Sequence, residues 1–280
     1  MSTNTSTAPR AWLPEDVLSL VVQPVGEESI AARAGAYRTG LTGNALRVPL
    51  VTADPTAAWV GEGEEIPVSQ NELDEAEAAY RKLAGLSVVS TELADDTDPD
   101  AAQEIGRGLV RDIARKLDHA LFNDAGAKAP AGLATLAGVS SVAAPVELTN
   151  LDPYISAKFK AAAVGAQLAA FVLSPNDAEE LALLKESSTS AKRLLTDNAA
   201  QPGAMVLDGV PVLTSPAVAD GTSWALPQNR VIVGVRKDAS VEADRSAFFT
   251  SDRVAIRATM RVAFAFPHPA AIVKILRVAA

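Results

Sequence analysis

Nucleophilic chemistry that needs an imidazole base would have to start from His119 and His268, the two histidines of this 280-residue chain. His119 follows Asp118 in a segment of helical period, and His268 stands between Pro267 and Pro269. Neither lies in a nucleophile motif, and no G-x-S-x-G occurs. A structural role for both is the favoured reading, and a hydrolase built on either is the remote one. Asp95, Asp96, Asp98 and Asp100 invite a calcium reading, because Asp96 opens a D-x-D-x-D run. The sixth position is then Ala101 where the calcium loop needs Gly, and the twelfth is Arg107 where it needs Glu. Acids gathered at a helix N-terminus explain the cluster better. The absence of cysteine excludes disulfides, thiolate chemistry and cysteine-bound zinc. There is no Walker loop and no G-x-G-x-x-G, so the residues call for no cofactor and no metal.

Two sets of arginines remain: Arg107, Arg111 and Arg115, then Arg253, Arg257 and Arg261. Each spacing puts its three guanidinium groups on one side of an element. Such stripes could touch phosphate, but a net charge of -9 and an aromatic content of 5% oppose a nucleic-acid grip. No apolar run reaches the ~20 residues of a membrane span. The opening "MSTNTSTAPRAWLPEDV" lacks the basic-then-apolar halves of a signal peptide, so no membrane partner is expected.

The elements that must carry these residues are long. Leu13 to about Ala36 reads as a short helix with loosely patterned sequence after it, an arm with little to bury by itself. Arg47–Ala53 and Tyr80–Thr91 read as strands, and the polar, weakly periodic text between them suggests a long projecting hairpin. Asp98 and Pro99 suit an N-cap and first helical turn. Ile105, Leu109, Ile113, Leu117 and Leu121 then give one apolar face, with Val110 beside it, up to Gly126 and Pro130. From 149 to about 235, helical and strand text alternate as in a compact α/β unit: "KFKAAAVGAQL", "AAFVLS", "NDAEELALLKES", "GVPVLTS", "NRVIVGV". Arg253–Phe266 alternates strictly, with Val254, Ile256, Met260, Val262 and Phe264 on one face and the three arginines on the other. A last apolar segment, "AAIVKIL", closes the chain. Elements this long cannot bury both sides in a small globule, so contact with other subunits is their expected use.

The stretch "VPLVTADPTAAWVGEGEEIPVSQNELDEAEAAYRKLAGLSVVSTELADD" resembles the hairpin region of major capsid proteins of tailed double-stranded DNA bacteriophages, those with the Hong Kong 97-type fold. Trp59–Ser69 resembles that family's aromatic-valine-glutamate-glycine segment before "IP.S", Lys82–Leu93 its return strand, and Asp95 onward its acidic helix start. "PAGL" (Pro130–Leu133), "FVLSP" (Phe171–Pro175) and "GVPVLTS" (Gly209–Ser215) follow in the right order. The resemblance implies an α+β chain with an N-terminal arm at residues 1–45 and an extended loop at 46–92. A peripheral domain with a spine helix would span 93–148 and 236–280, and an axial domain 149–235. It implies no enzyme. The expected function is self-assembly, as homo-pentamers and homo-hexamers, into an icosahedral head in the host cytoplasm. That virion capsid would enclose double-stranded DNA without sequence-specific contact, with a portal. No coiled-coil segment precedes the arm, so the resemblance implies a separate scaffolding protein, or none. An encapsulin-type cellular compartment is the alternative.

Some relatives crosslink subunits through a lysine on the extended loop; from Val48 to Tyr80 this sequence has neither lysine nor arginine, so no such bond is expected. The same span carries Asp54, Glu62, Glu64, Glu65, Glu72, Asp74, Glu75 and Glu77. Acids without an internal cation need an answering surface, or else they are simply solvated and keep free subunits apart. The contact candidates are therefore Trp59, Glu62, Glu64 and Glu65 on the loop, facing either Arg107, Arg111 and Arg115 or Arg253, Arg257 and Arg261 on a neighbour.

Overall fold

The computed structural model describes residues 29–53, 57–61, 63, 65, 68, 72–90, 100–186, 190, 192–195 and 205–278. The arm helix expected after Leu13, the cap at Asp98 and the acids Asp95, Asp96 and Asp98 lie outside these. Among the described residues the chain is a mixed α+β protein with three sheets.

A short helix α1 (Ile30–Ala34) leads into β1 (Ala36–Arg38). Then come β2 (Ala45–Ala53), β3 (Glu72–Ala79), β4 (Arg81–Ser90) and the long helix α2 (Asp100–Phe122). Next are β5 (Ser140–Pro145), α3 (Asp152–Ala163), β6 (Ala170–Leu173) and α4 (Pro175–Leu183). The rest is β7 (Val206–Leu207), β8 (Val210–Thr214), β9 (Thr222–Leu226), β10 (Ile232–Phe248), β11 (Arg253–Ala265) and β12 (Val273–Val278).

The first sheet has the order β1-β10-β11-β4, with β10 and β4 antiparallel to β11. The even-numbered residues of β11 explain its place. Val254, Ile256, Ala258, Met260, Val262 and Phe264 are buried, and those from Ala258 to Phe264 join a core with Val110, Ile113, Leu117 and Leu121 of α2. The helical and strand periods thus meet face to face. With 23 residues, α2 runs about 35 Å along this sheet.

The second sheet has the order β5-β12-β9-β6-β8-β7. It draws β5 and β12 from outside the 149–235 segment, so the two sheet units interleave along the chain. It is buried on both faces. Val172, Trp224 and Ile272 join the α2 core, while Phe171, Leu173, Ala225 and Ile275 join a second core with Tyr154, Ala157 and Ala161 of α3 and Leu181 of α4. Burial on two sides is why "AFVL" reads as a continuous apolar run. Ser174 caps α4 by accepting from the Asp177 N–H at 3.1 Å, and Pro175 sits in its first turn.

The third sheet is the hairpin, and here the sequence reading is corrected. Its two strands are β2 and β3, paired antiparallel from Ala45↔Ala79 to Ala53↔Glu72. The strand expected at Tyr80–Thr91 forms over Arg81–Ser90, but it pairs with β11 in the body instead of bounding the hairpin. The hairpin's return strand, "ELDEAEAA", gave no strand signal because Glu, Asp and Ala are poor strand formers.

Candidate intersubunit surfaces

The hairpin stands on a narrow root. Leu46 is buried against Ala263 and Ala265 of β11, with Leu41, Val48, Ala78, Tyr80 and Ile232 around it. Gly234 makes room for this root: a Cβ there would come within 2.9 Å of Leu46 Cδ2. Both faces of β11 are therefore used. The expectation of one apolar face holds for the even residues, but Ala263 and Ala265 of the odd face are buried too, under the hairpin.

Arg47, just before the lysine-free span, reaches across to Glu75 and Glu77, each at 3.6 Å. All three side chains are more than half exposed, so these pairs fix register more than they stabilise. Asp74 and Glu65 are also exposed, and Trp59 is fully exposed. Glu62 and Glu64 lie outside the described residues.

The exposed odd face of β11 carries Arg253, Arg257 and Arg261. Arg257 is answered within the chain by Glu242 of β10, whose carboxyl it holds below the usual range by their hydrogen bond. Arg261 has the opposite surroundings. Its register partners are Lys82 of β4 and Lys237 of β10, so three cations stand in one row across three strands. Like charges directly opposite each other cost a sheet stability. Lys237 has one distant acid, Glu242 at 3.9 Å; among the described residues Lys82, Arg236 and Arg261 have no acidic partner. These cations border an open cleft of about 530 Å³ with Leu41 and Thr42 on its rim. Lys82, Arg236 and Lys237 are the residues the sequence reading missed. Their text carries no stripe, and only the pairing of three strands brings them beside Arg261.

On α2, Arg107 and Arg115 are exposed and Arg111 is half-buried, with the Lys116–Asp112 pair beside them at 3.9 Å. The helix stripe and the strand ladder are thus separate surfaces. His119 is exposed and His268 half-exposed.

Asp118, beside His119, has a different task. Its carboxylate is buried and accepts from Ser29 Oγ at 2.6 Å, Ala31 N at 2.8 Å and Ile30 N at 3.1 Å. Helix α2 thereby holds the first turn of α1. Burial pushes the Asp118 carboxyl above its ordinary pKa, and the three donors pull it back part of the way. Asp118→Asn keeps the shape but turns one acceptor into a donor. It should cost about 2 kcal/mol and speed amide exchange at Ile30 and Ala31. Unchanged exchange there would refute the anchoring role.

Elongated elements sharing two cores, an acid-rich hairpin on a narrow root and a cationic row with one acid, Glu242, near it among the described residues are features of a structural protein. A family model described as the Phage capsid family matches residues 11–276, and the chain belongs to that family. It is a structural major capsid protein of a bacteriophage virion, and the encapsulin reading is not favoured. Among solved structures, the capsid of a native GTA particle computed with C5 symmetry is similar over 100% of this chain and 96% of its own, at TM-score 0.72 and 19% identity. The structure from Mycobacterium phage Adephagia is similar over 90% and 91%, at 0.74 and 18%. That from Microbacterium phage Oxtober96 is similar over 89% and 91%, at 0.74 and 18%. These likenesses concern the fold. No curated protein matches the chain.

Proposed function

We propose that the chain assembles with copies of itself, as pentamers and hexamers, into an icosahedral head of the Hong Kong 97 type in the host cytoplasm. The head encloses double-stranded DNA without sequence-specific contact, and a portal completes it, with a separate scaffolding protein or none. Residues 1–45 act as the arm and 46–92 as the extended loop. Residues 93–148 and 236–280 form the peripheral domain around α2. The unit built on 149–235, together with β5 and β12 of its sheet, gathers around the symmetry axes.

The observation that carries this reading is the hairpin. Among the described residues, the strand pair is rooted through Leu46 and its small cluster, which buries little within its own subunit. Its acids beyond Arg47 also have no cation inside the span. A neighbouring subunit supplies what is missing, and a contact repeated around a closed ring sets register even where each exposed pair is weak. Of the two cationic surfaces, the β11 face suits the loop better, because Lys82, Arg236 and Arg261 there have no acidic partner among the described residues.

Expression of the full chain followed by electron microscopy tests the reading: closed particles are expected, and monomers under all assembly conditions would overturn it. Reversing two loop charges with Glu64→Lys and Glu65→Lys should lower particle yield at least about tenfold, while the subunit's melting temperature stays unchanged. Normal yield would remove the electrostatic part of the argument.

A further inference from the structure

The loop's acids give attraction without an anchor, and exposed ion pairs alone hold little. Two described features supply one. Trp59 stands fully exposed on the loop, a large indole that none of the described residues covers. On the body, the cleft beside β11 combines apolar and cationic walls: Leu41, Thr42, Lys82, Arg236, Lys237 and Arg261. Its volume of about 530 Å³ exceeds that of an indole side chain, leaving space for a carboxylate beside it. An aromatic ring gains from a cation over its face, and carboxylates gain from a row of cations in which, among the described residues, Lys237 alone has an acid, Glu242 at 3.9 Å. Tryptophan and arginine are also the residue types that dominate contact energies when desolvated together.

We propose that the Trp59 indole of a second copy of this chain seats in this cleft, with Glu65 of the same loop on the Lys82–Arg261–Lys237 row. This rests on the reading that subunits meet through the hairpin, and it names the anchor and its receptor. The row costs the free subunit stability, since three like charges share one rung. That cost is removed when a neighbour's carboxylate arrives, so the site discriminates between the free and assembled states.

Two substitutions test the proposal with separate readouts. Arg261→Glu turns the rung into alternating charge. The free subunit should melt higher than wild type, while the concentration needed for assembly rises at least about tenfold. Trp59→Ala should raise that concentration by a similar factor and leave the melting temperature unchanged. In wild type, tryptophan emission should shift to the blue on assembly, and Trp59→Phe should lose most of that shift. Failure of the wild-type chain to form particles would overturn the shell reading itself. Particles formed at wild-type concentrations by both Trp59→Ala and Arg261→Glu would overturn the anchor and leave the shell reading standing.

Discussion

Gly132→Ala should lower the melting temperature of the free subunit by at least about 10 °C, a loss near 4 kcal/mol. The reason is space, since Gly132 has φ -96 and ψ -179, a backbone any residue adopts. A Cβ at this position falls 2.2 Å from the carbonyl oxygen of Ala120, 2.6 Å from that of Asn123 and 2.8 Å from that of Leu121. All three are backbone atoms at the C-terminal end of α2, so no side-chain rotation relieves the clash. The Gly132 carbonyl is also held, accepting from Thr135 N at 3.2 Å and Thr135 Oγ1 at 2.9 Å. Either the helix end or the turn must move, and Leu121 and Leu133 are both buried in the core at that point. Overpacking of this kind is costly where neither partner can yield. Gly126 offers a control in the same loop. It has φ +83, and a Cβ there would meet nothing within 4 Å, so Gly126→Ala should cost about 1 kcal/mol through backbone strain alone. A Gly132 variant no worse than the Gly126 variant would refute the steric argument.

Gly132 also shows how much was legible in the sequence. "PAGL" was readable as a motif, but its meaning is a distance to carbonyls set by a helix end, which the order of residues does not state. Elements with a strong period were readable outright. The apolar face of α2 and the alternation of β11 depend on spacing alone, and both form where the spacing puts them. The acid strand β3 was not readable, because its strand character comes from pairing with β2 and not from its own residues. The second half of β10 was hidden for a related reason: its register slips at three places along β11, which breaks the period-two pattern. Of the contact surfaces, the arginine ladder was visible, whereas the row through Lys82 and Lys237 exists only once β4, β11 and β10 are side by side. Charge compensation was equally hidden: Arg257 and Arg261 look alike in sequence, yet one faces Glu242 and the other two lysines.

Arg277→Met should cost about 3–4 kcal/mol at neutral pH, chiefly through the carboxylate it leaves behind. Arg277 lies on β12 with its guanidinium mostly buried: Nη1 donates to Glu180 Oε2 at 2.7 Å and to the Val146 carbonyl at 3.2 Å. Nη2 lies 3.0 Å from Asp177 Oδ1, an ion pair without the alignment of a hydrogen bond. Asp177 is the more buried partner, in the first turn of α4, and also accepts from Gly221 N at 3.0 Å. The cluster ties α4 to β12 and to the turn before β9. Burial pushes the Asp177 carboxyl above its ordinary pKa, and Arg277 opposes the shift. An acid with a raised folded-state pKa favours folding fully below its unfolded value, and that contribution is lost as pH rises through the folded value. Removing Arg277 raises the folded value further, so the variant's deficit should be largest near about pH 8 and shrink towards about pH 5. The double variant Asp177→Asn/Arg277→Met removes the stranded charge and should recover more than half of the loss. A deficit equal at both pH values, or a double variant as unstable as the sum of the two single ones, would show that Arg277 acts through packing instead of through Asp177.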